Sequence, residues 1–364
     1  MKSRQIFIGK VAVGGGANVS IQSMCNTATA DTAATLKQIN ALAAAGCEII
    51  RLAVPDMQAA QAFKVITEAS PIPVIADIHF DYRLAVAAIG NGAAAVRVNP
   101  GNLGGEDAVK AVAKALLQYN VPVRVGANSG SLPAHHVQHR QAVSAREHDE
   151  LLSDALVESV LQQTEIFERY GVSNIKVSLK ASSVPATVMA YRKFAQRSDY
   201  PLHVGVTEAG TPARGIVKSA AGIGALLLDG IGDTIRVSLT ADPLQEITAA
   251  LRILESVGLR DASPDLVACP TCGRTRIDLV ALAEKVENLI DRIKAEKGFI
   301  QLKKIAVMGC VVNGPGEAKD ADLGIAGGDG KVVLFRKGVI ECTLGESEGF
   351  AALEKIIREN TVWQ

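Results

Sequence analysis

Ala95-Val96-Arg97-Val98-Asn99 is the stretch on which the fold turns. A strand buried between helices in a parallel sheet should be apolar throughout. This one is not. Successive strand residues point to opposite faces, so Arg97 and Asn99 share one face, and Val96 and Val98 the other. The same alternation returns in Arg236 and Ser238 against Ile235 and Val237, in Asp77 and His79 around Ile78, and in Lys176, Ser178 and Lys180. The apolar parity is fit to pack under helices. The polar parity is left to face the inside of a closed barrel, near the carboxyl ends of its strands, where barrel enzymes keep their sites.

Working outward, eight short β-branched runs recur at 19–24, 49–54, 73–78, 95–99, 121–125, 175–179, 202–206 and 234–239. Helical stretches lie between them, among them 31–45, 58–69, 107–119, 153–170 and 186–196, with Gly46, Gly92 and Gly171 placed as helix stops. Eight alternating units in about 250 residues are the count and length of a (β/α)8 TIM barrel, an α/β fold. A small hairpin around Gly9-Lys10 precedes it, and the long interval between the fifth and sixth runs holds a His-rich insert, 135–148. A further helix, 243–258, is the eighth of the barrel and returns the chain to its lower face. A short linker, 260–264, follows. Beyond it come a helix at 279–295, a strand at 304–308, a hairpin of 323–326 with 331–335, a strand-like 339–344 and a helix at 350–360. The expected organisation is therefore a substrate-binding barrel over 1–260 and a small α+β domain over 261–364.

The 364 residues are 48% hydrophobic and 21% charged with a formal net charge of zero, the composition of an ordinary globular chain. Nothing global points to nucleic acid or to an anionic membrane. No apolar run is long enough for a signal peptide or a membrane span, so the expectation is a cytoplasmic protein. Six cysteines then point to metal or redox chemistry rather than disulfides.

Arg51, Arg97, Arg124, Lys180 and Arg236 gather at the expected barrel rim, with Asp77 and Glu208 as the obvious acids. Five cations are not neutralised by two carboxylates, and buried unpaired charge is costly. A multiply anionic ligand is the natural complement, and the planar fork of arginine suits phosphate oxygens. A phosphate or diphosphate substrate is expected; rim arginines in structural ion pairs are the plainer alternative. His79 shares a face with Asp77 and joins the site.

In the second domain, Cys269-Pro270-Thr271-Cys272 is answered by Cys310-Val311-Val312-Asn313-Gly314-Pro315-Gly316-Glu317. A C-x-x-C pair turns both sulfurs toward one metal, and a distant third cysteine closes the cage. Three thiolates and a hard, exchangeable carboxylate leave one metal position open to a substrate. Spacing alone leaves structural zinc, with Cys342 as a fourth ligand, and an iron–sulfur cluster about equally open. Cys25, Cys47 and Cys342 read otherwise as structural, His135, His136, His139 and His148 as a solvated loop, and Gly14–Gly16 as a turn. With substrate cations at the top of the barrel and the metal domain tethered by a short linker at its bottom, each cluster is expected to cap the barrel of a second subunit in a two-fold homodimer.

Several longer motifs run through the chain in order: Ile21-Gln22-Ser23-Met24, Ala76-Asp77-Ile78-His79-Phe80-Asp81-Tyr82, Arg97-Val98-Asn99-Pro100-Gly101-Asn102, Val206-Thr207-Glu208-Ala209-Gly210 and Gly230-Ile231-Gly232-Asp233-Thr234. Together with Ala268-Cys269-Pro270-Thr271-Cys272 and the 309–317 segment, they make the sequence resemble the (E)-4-hydroxy-3-methylbut-2-enyl diphosphate synthase family, iron–sulfur enzymes of the methylerythritol phosphate route to isoprenoids. The resemblance runs nearly end to end. It implies a [4Fe–4S] cluster held by Cys269, Cys272, Cys310 and Glu317. It implies a barrel in which Arg51, Arg97, Asn99, Arg124, Asn128, Lys180, Arg236 and Ser238 hold a cyclodiphosphate. Glu208 is then the acid/base group, with Asp77 and His79 beside it and Asn313 near the cluster. Electrons are expected singly from a flavodoxin or ferredoxin. Some members of that family carry a large domain between barrel and cluster domain; the short linker here matches the two-domain bacterial form. The rivals are a zinc-bearing barrel enzyme of the pteroate synthase kind and a non-catalytic electron carrier.

Overall fold

A computed structural model describes residues 2–132, 144–261, 264–310 and 318–363. His135, His136, His139, Asn313 and Glu317 lie outside the described residues. The chain divides into two compact units, Met1–Arg260 and Asp261–Gln364.

The first unit opens with a hairpin of β1 (Ile6–Ile8) and β2 (Val11–Val13). There follow β3 (Ser20–Met24), α1 (Thr32–Ala44), β4 (Ile49–Ala53), α2 (Met57–Ala69), β5 (Val74–Asp77), α3 (Tyr82–Gly90), β6 (Ala95–Arg97) and α4 (Glu106–Tyr119). The second half is β7 (Val123–Asn128), α5 (Ala145–Glu168), β8 (Ile175–Lys180), α6 (Val184–Ala195), β9 (His203–Val204), α7 (Pro212–Leu228), β10 (Thr234–Ile235) and α8 (Pro243–Ser256). The eight strands β3 to β10 form one parallel sheet in the order β8-β7-β6-β5-β4-β3-β10-β9. A parallel bridge between Val177 and Leu202 joins its two ends, so the sheet closes as the sequence parity requires.

Local chemistry explains where the helices start. Asp31, Asp56 and Asp81 each accept a hydrogen bond from a first-turn amide of α1, α2 or α3, which otherwise lacks a partner. The outward strand residues Ile50, Leu52, Val96, Val98, Val123, Val125, Val177 and Leu179 pack under the helices in one continuous core. At the amino-terminal ends of β4, β5 and β6, Ile6, Ile8 and Val13 of the hairpin pack against Ile49, Ile75 and Ala95 and close that part of the floor.

Two boundaries differ from expectation. α5 starts at Ala145, N-capped by Ser144, so His148 is exposed on a first helical turn rather than in a loop. β9 and β10 shorten to two residues each, although Arg236 N–H still bonds Val204 O at 2.9 Å.

The second unit comprises β11 (Asp265–Ala268), α9 (Leu279–Ala295), β12 (Gly298–Ile300), β13 (Lys304–Met308), β14 (Leu323–Gly327), β15 (Lys331–Arg336), β16 (Val339–Gly345), α10 (Glu346–Glu359) and β17 (Thr361–Trp363). Its five-stranded sheet runs β11-β13-β14-β15-β16, parallel across the first three strands and antiparallel thereafter. Helices α9 and α10 cover one face through Val286, Leu289, Ile293, Leu353 and Ile357. The other face is a smaller cluster around Met308, Val333 and Phe335. A ribbon of β12 with β17 was not foreseen; three-residue strands carry too little periodicity to announce themselves.

Gly324 stands opposite Phe335 in the β14–β15 ladder, and a β-carbon there would lie 2.2 Å from the ring. Gly324→Ala is therefore expected to cost about 1–3 kcal/mol by overpacking. Urea unfolding of the single and double variants checks this: pairing it with Phe335→Leu should cost less than the sum of the two single changes.

Candidate active site

The inward parity delivers the cations in sequence around the barrel. Register pairs Ala53 with Asp77, Asp77 with Arg97 and Arg97 with Arg124, so these groups stand on adjacent strands at one height. Asp77 is only 3% exposed. Its Oδ1 accepts from Arg97 Nη1 at 3.2 Å, and its Oδ2 lies 3.4 Å from Arg51 Nε and 3.8 Å from His79 Nε2. Burial works to raise the Asp77 carboxyl, but Arg51, Arg97, Arg124 and His79 outweigh it and hold it below the usual range.

On the other side of the barrel, Arg236 Nε lies 3.4 Å from Glu246 Oε2. Glu246 is buried and also accepts from Ser23 Oγ at 3.1 Å and from Leu239 N–H at 3.1 Å. Met24 stands between the two arginine groups: its sulfur is 3.0 Å from Arg51 Nη2 and 3.7 Å from Arg236 Nη1. Glu246 is the partner that sequence reasoning missed. Glu208, expected as an acid of this cluster, is instead exposed, in a left-handed backbone conformation (φ 52°), with no ion pair among the described residues.

Arg124 is 5% exposed, and its Nε and Nη1 have no hydrogen-bond partner among the described residues. Lys180, 8% exposed, sits against the backbone of Gly205: a β-carbon on Gly205 would lie 2.7 Å from Lys180 Nζ and 2.4 Å from Arg236 O. Only glycine leaves room for the ammonium group. Burial, followed by the neighbouring cations, pushes Arg124 and Lys180 well below their ordinary values; burial likewise lowers Arg51 to about 10. Among the described residues the barrel thus sets five basic side chains against two carboxylates, Asp77 and Glu246. That imbalance is costly unless an anion enters.

Asn99 caps the short turn Pro100–Asn102, accepting from Gly101 N–H at 3.1 Å. Asn128 ends β7, and Ser238 lies half-buried beyond β10.

In the second unit, β11 and β13 are parallel neighbours with Ala268 opposite Val307, so Cys269 and Cys310 leave the same end of the sheet. Cys269 Sγ accepts a hydrogen bond from Gly309 N–H at 3.2 Å. The backbone N–H of Arg274, first among the causes, holds the exposed Cys272 thiol below its ordinary value. Amide donors aimed at sulfur favour thiolates, the form that binds metal, and in this respect the donor set fits an iron–sulfur cluster. Among the described residues no three His, Cys, Asp or Glu side chains are gathered as a metal site. Cys25 and Cys47 are buried, with burial raising their thiols to about 12 and about 11. Cys342 is exposed on the edge strand β16.

Comparison with known proteins agrees with this architecture. Solved structures of dihydropteroate synthases from Yersinia pestis and Vibrio fischeri superpose on 70% of this chain and on 98% and 99% of their own, each with a TM-score of 0.50, at 12% and 14% identity. That likeness concerns the barrel fold alone. A protein of Geobacter sulfurreducens named 4-hydroxy-3-methylbut-2-en-1-yl diphosphate synthase (flavodoxin) is 52% identical over 362 residues, 98% of this chain and 99% of its own. One of the same name from Clostridium perfringens is 49% identical over 356 residues, 98% of each chain. Residues 3–251 match the GcpE TIM-barrel domain and residues 265–359 the GcpE protein C-terminal domain. The chain belongs to the GcpE family.

Proposed function

We propose that this chain catalyses the two-electron reductive ring opening of 2-C-methyl-D-erythritol 2,4-cyclodiphosphate to (E)-4-hydroxy-3-methylbut-2-enyl diphosphate, an oxidoreductase step of isoprenoid precursor synthesis. The observation that carries it is Arg124, a buried guanidinium with two nitrogens unpaired among the described residues, inside a barrel whose described basic groups outnumber its carboxylates. The names of full-length relatives at about half identity support the same reading.

The reaction breaks a ring C–O bond and expels a hydroxyl as water. Two electrons and one proton are consumed, and the diphosphate gains one negative charge. Charge therefore grows on the departing phosphate oxygen, where the guanidinium groups of Arg51, Arg97, Arg124 and Arg236 already stand in place and the Lys180 side chain joins them. Asp77 and Glu246 hold Arg51, Arg97 and Arg236 in orientation. Asn99, Asn128 and Ser238 offer neutral donors to the remaining oxygens. Glu208, exposed and without an ion pair among the described residues, is suited to carry the proton to the leaving hydroxyl, with His79 and Asp77 nearby.

Cys269, Cys272 and Cys310, completed by Glu317, would hold a [4Fe–4S] cluster, which when bound supplies low-potential electrons one at a time. Asn313 belongs beside it. The proposal extends to flavodoxin as electron donor, with ferredoxin as the alternative, and to a cytoplasmic homodimer. Among the described residues no helix is long and apolar enough to cross a membrane.

Anaerobically purified protein should carry about four irons per chain and absorb near roughly 400 nm. Iron analysis and turnover of the cyclodiphosphate by reduced flavodoxin test this, and tightly held zinc without iron would overturn it. Cys310→Ala should lose the iron while the barrel stays folded by circular dichroism. Arg124→Met should lower kcat/KM by about 10- to 100-fold, the worth of a charge-assisted hydrogen bond. The same change should leave thermal stability equal or higher, because it removes a buried unpaired cation. A fall in both together would refute the role given to Arg124.

A further inference from the structure

Next to the site lie buried polar groups that the mechanism above does not use. Lys176 is 1% exposed and stands in register with Arg124 on the neighbouring strand. Its Nζ makes only two long contacts among the described residues, both neutral: 3.4 Å to Gln22 Oε1 and 3.4 Å to Thr234 Oγ1. Thr234 Oγ1 is also 2.8 Å from His203 Nδ1, and His203 is fully buried with Nε2 unpartnered. Four residues further along the same strand, Lys180 makes no ion pair with a carboxylate among the described residues.

The charged groups around this pair are mostly of one sign. Among the described residues, Arg124, Arg236 and Arg51 act most strongly on Lys180, with Glu246 opposing them; Arg124 and Arg51 act on Lys176, with Asp233 opposing. Both acids are already engaged, Glu246 by Arg236 and Ser23, and Asp233 by Ser3 Oγ at 2.6 Å and Leu202 N–H at 2.7 Å. Asp77 is engaged by Arg51 and Arg97. His203 faces Lys180, Arg124, Lys176 and Arg51, and its burial and these cations keep it neutral.

A desolvated amine among cations sheds its proton, because solvation is lost and no counter-ion replaces it. A polyanion arriving above reverses the sign of the local field. We propose that substrate binding in this barrel is coupled to proton uptake from solvent by its two buried lysines, Lys180 and Lys176. The inference rests on the phosphate-binding reading of the barrel and adds what that reading leaves out: the site is not a fixed array of charges but completes its charge when the ligand arrives. Each step converts R–NH2 and a solvent proton to R–NH3+, with no other reactant.

The sign follows from linkage. The lysines bind more protons in the complex than in the empty barrel, so affinity is greatest at low pH and weakens as pH rises through the window between their depressed values and those in the complex. The fall is up to about tenfold per pH unit for each proton taken up. The cyclodiphosphate does not contribute, since each phosphorus carries a single, strongly acidic oxygen.

The experiment is calorimetric titration of the holoenzyme with methylerythritol cyclodiphosphate at about pH 7.5 in Tris, HEPES and PIPES. The dependence of observed heat on buffer ionisation enthalpy should give an uptake of about one to two protons per site. Heat that is independent of buffer, or proton release, would overturn the linkage while leaving phosphate binding intact. Absence of any binding would overturn both. Lys176→Met should still bind the substrate but take up fewer protons; unchanged uptake would remove Lys176 from the assignment. Lys176→Gln provides the same reading should the methionine variant not fold, and the wild-type titration decides the coupling without either.

Discussion

A single carboxylate holds two guanidinium groups in place at the centre of the barrel and neutralises only one of them. Asp77, gripping Arg51 and Arg97 from a nearly inaccessible position, is that carboxylate, and the site follows from its insufficiency. The closed sheet brings Arg124 and Lys180 beside the pair, and Glu246 satisfies Arg236 alone among the remaining cations. The molecule carries this electrostatic cost through its folded life because its other parts, the aliphatic layer between strands and helices above all, stabilise the barrel around it. An enzyme that must grip a substrate growing more negative as it reacts has reason to keep that cost.

Much of this was legible in the sequence because strand parity is strict. A period of two assigns Arg97, Asn99, Arg236, Ser238, Asp77 and Lys180 to one side of a ladder, whatever the exact length of each strand. The structure shortened β9 and β10 without disturbing the assignment. Glu246 was less visible because helices hide their inward polar residues among a wider stripe of apolar positions. It occupies the buried face of α8 with Pro243, Ile247, Ala250, Ile253 and Leu254, and an acid on such a stripe is the signal that was passed over. Glu208 stands exposed in a left-handed backbone conformation with no ion pair among the described residues, a matter of backbone geometry that composition does not record.

In the second unit the reading was of a different kind. Cysteine spacing points to a metal-binding loop, with zinc and iron–sulfur both open, but not to the scaffold beneath. The scaffold is the parallel pairing of β11 and β13, two strands separated by α9 and β12, which brings Cys269 and Cys310 to one end of a sheet. The hydrogen bond from Gly309 to the Cys269 sulfur depends on that pairing and was beyond sequence inspection.

The amino-terminal hairpin gives the barrel an uneven base. Under β4, β5 and β6 its Ile6, Ile8 and Val13 form a dry aliphatic stopper, whereas β3, β8, β9 and β10 meet in amide, hydroxyl, amine and imidazole groups. The vessel is thus greased on one flank and wettable on the other. The consequence is a lopsided solvent for whatever the interior holds: one flank offers only hydrocarbon, and the other offers groups that can trade hydrogen bonds.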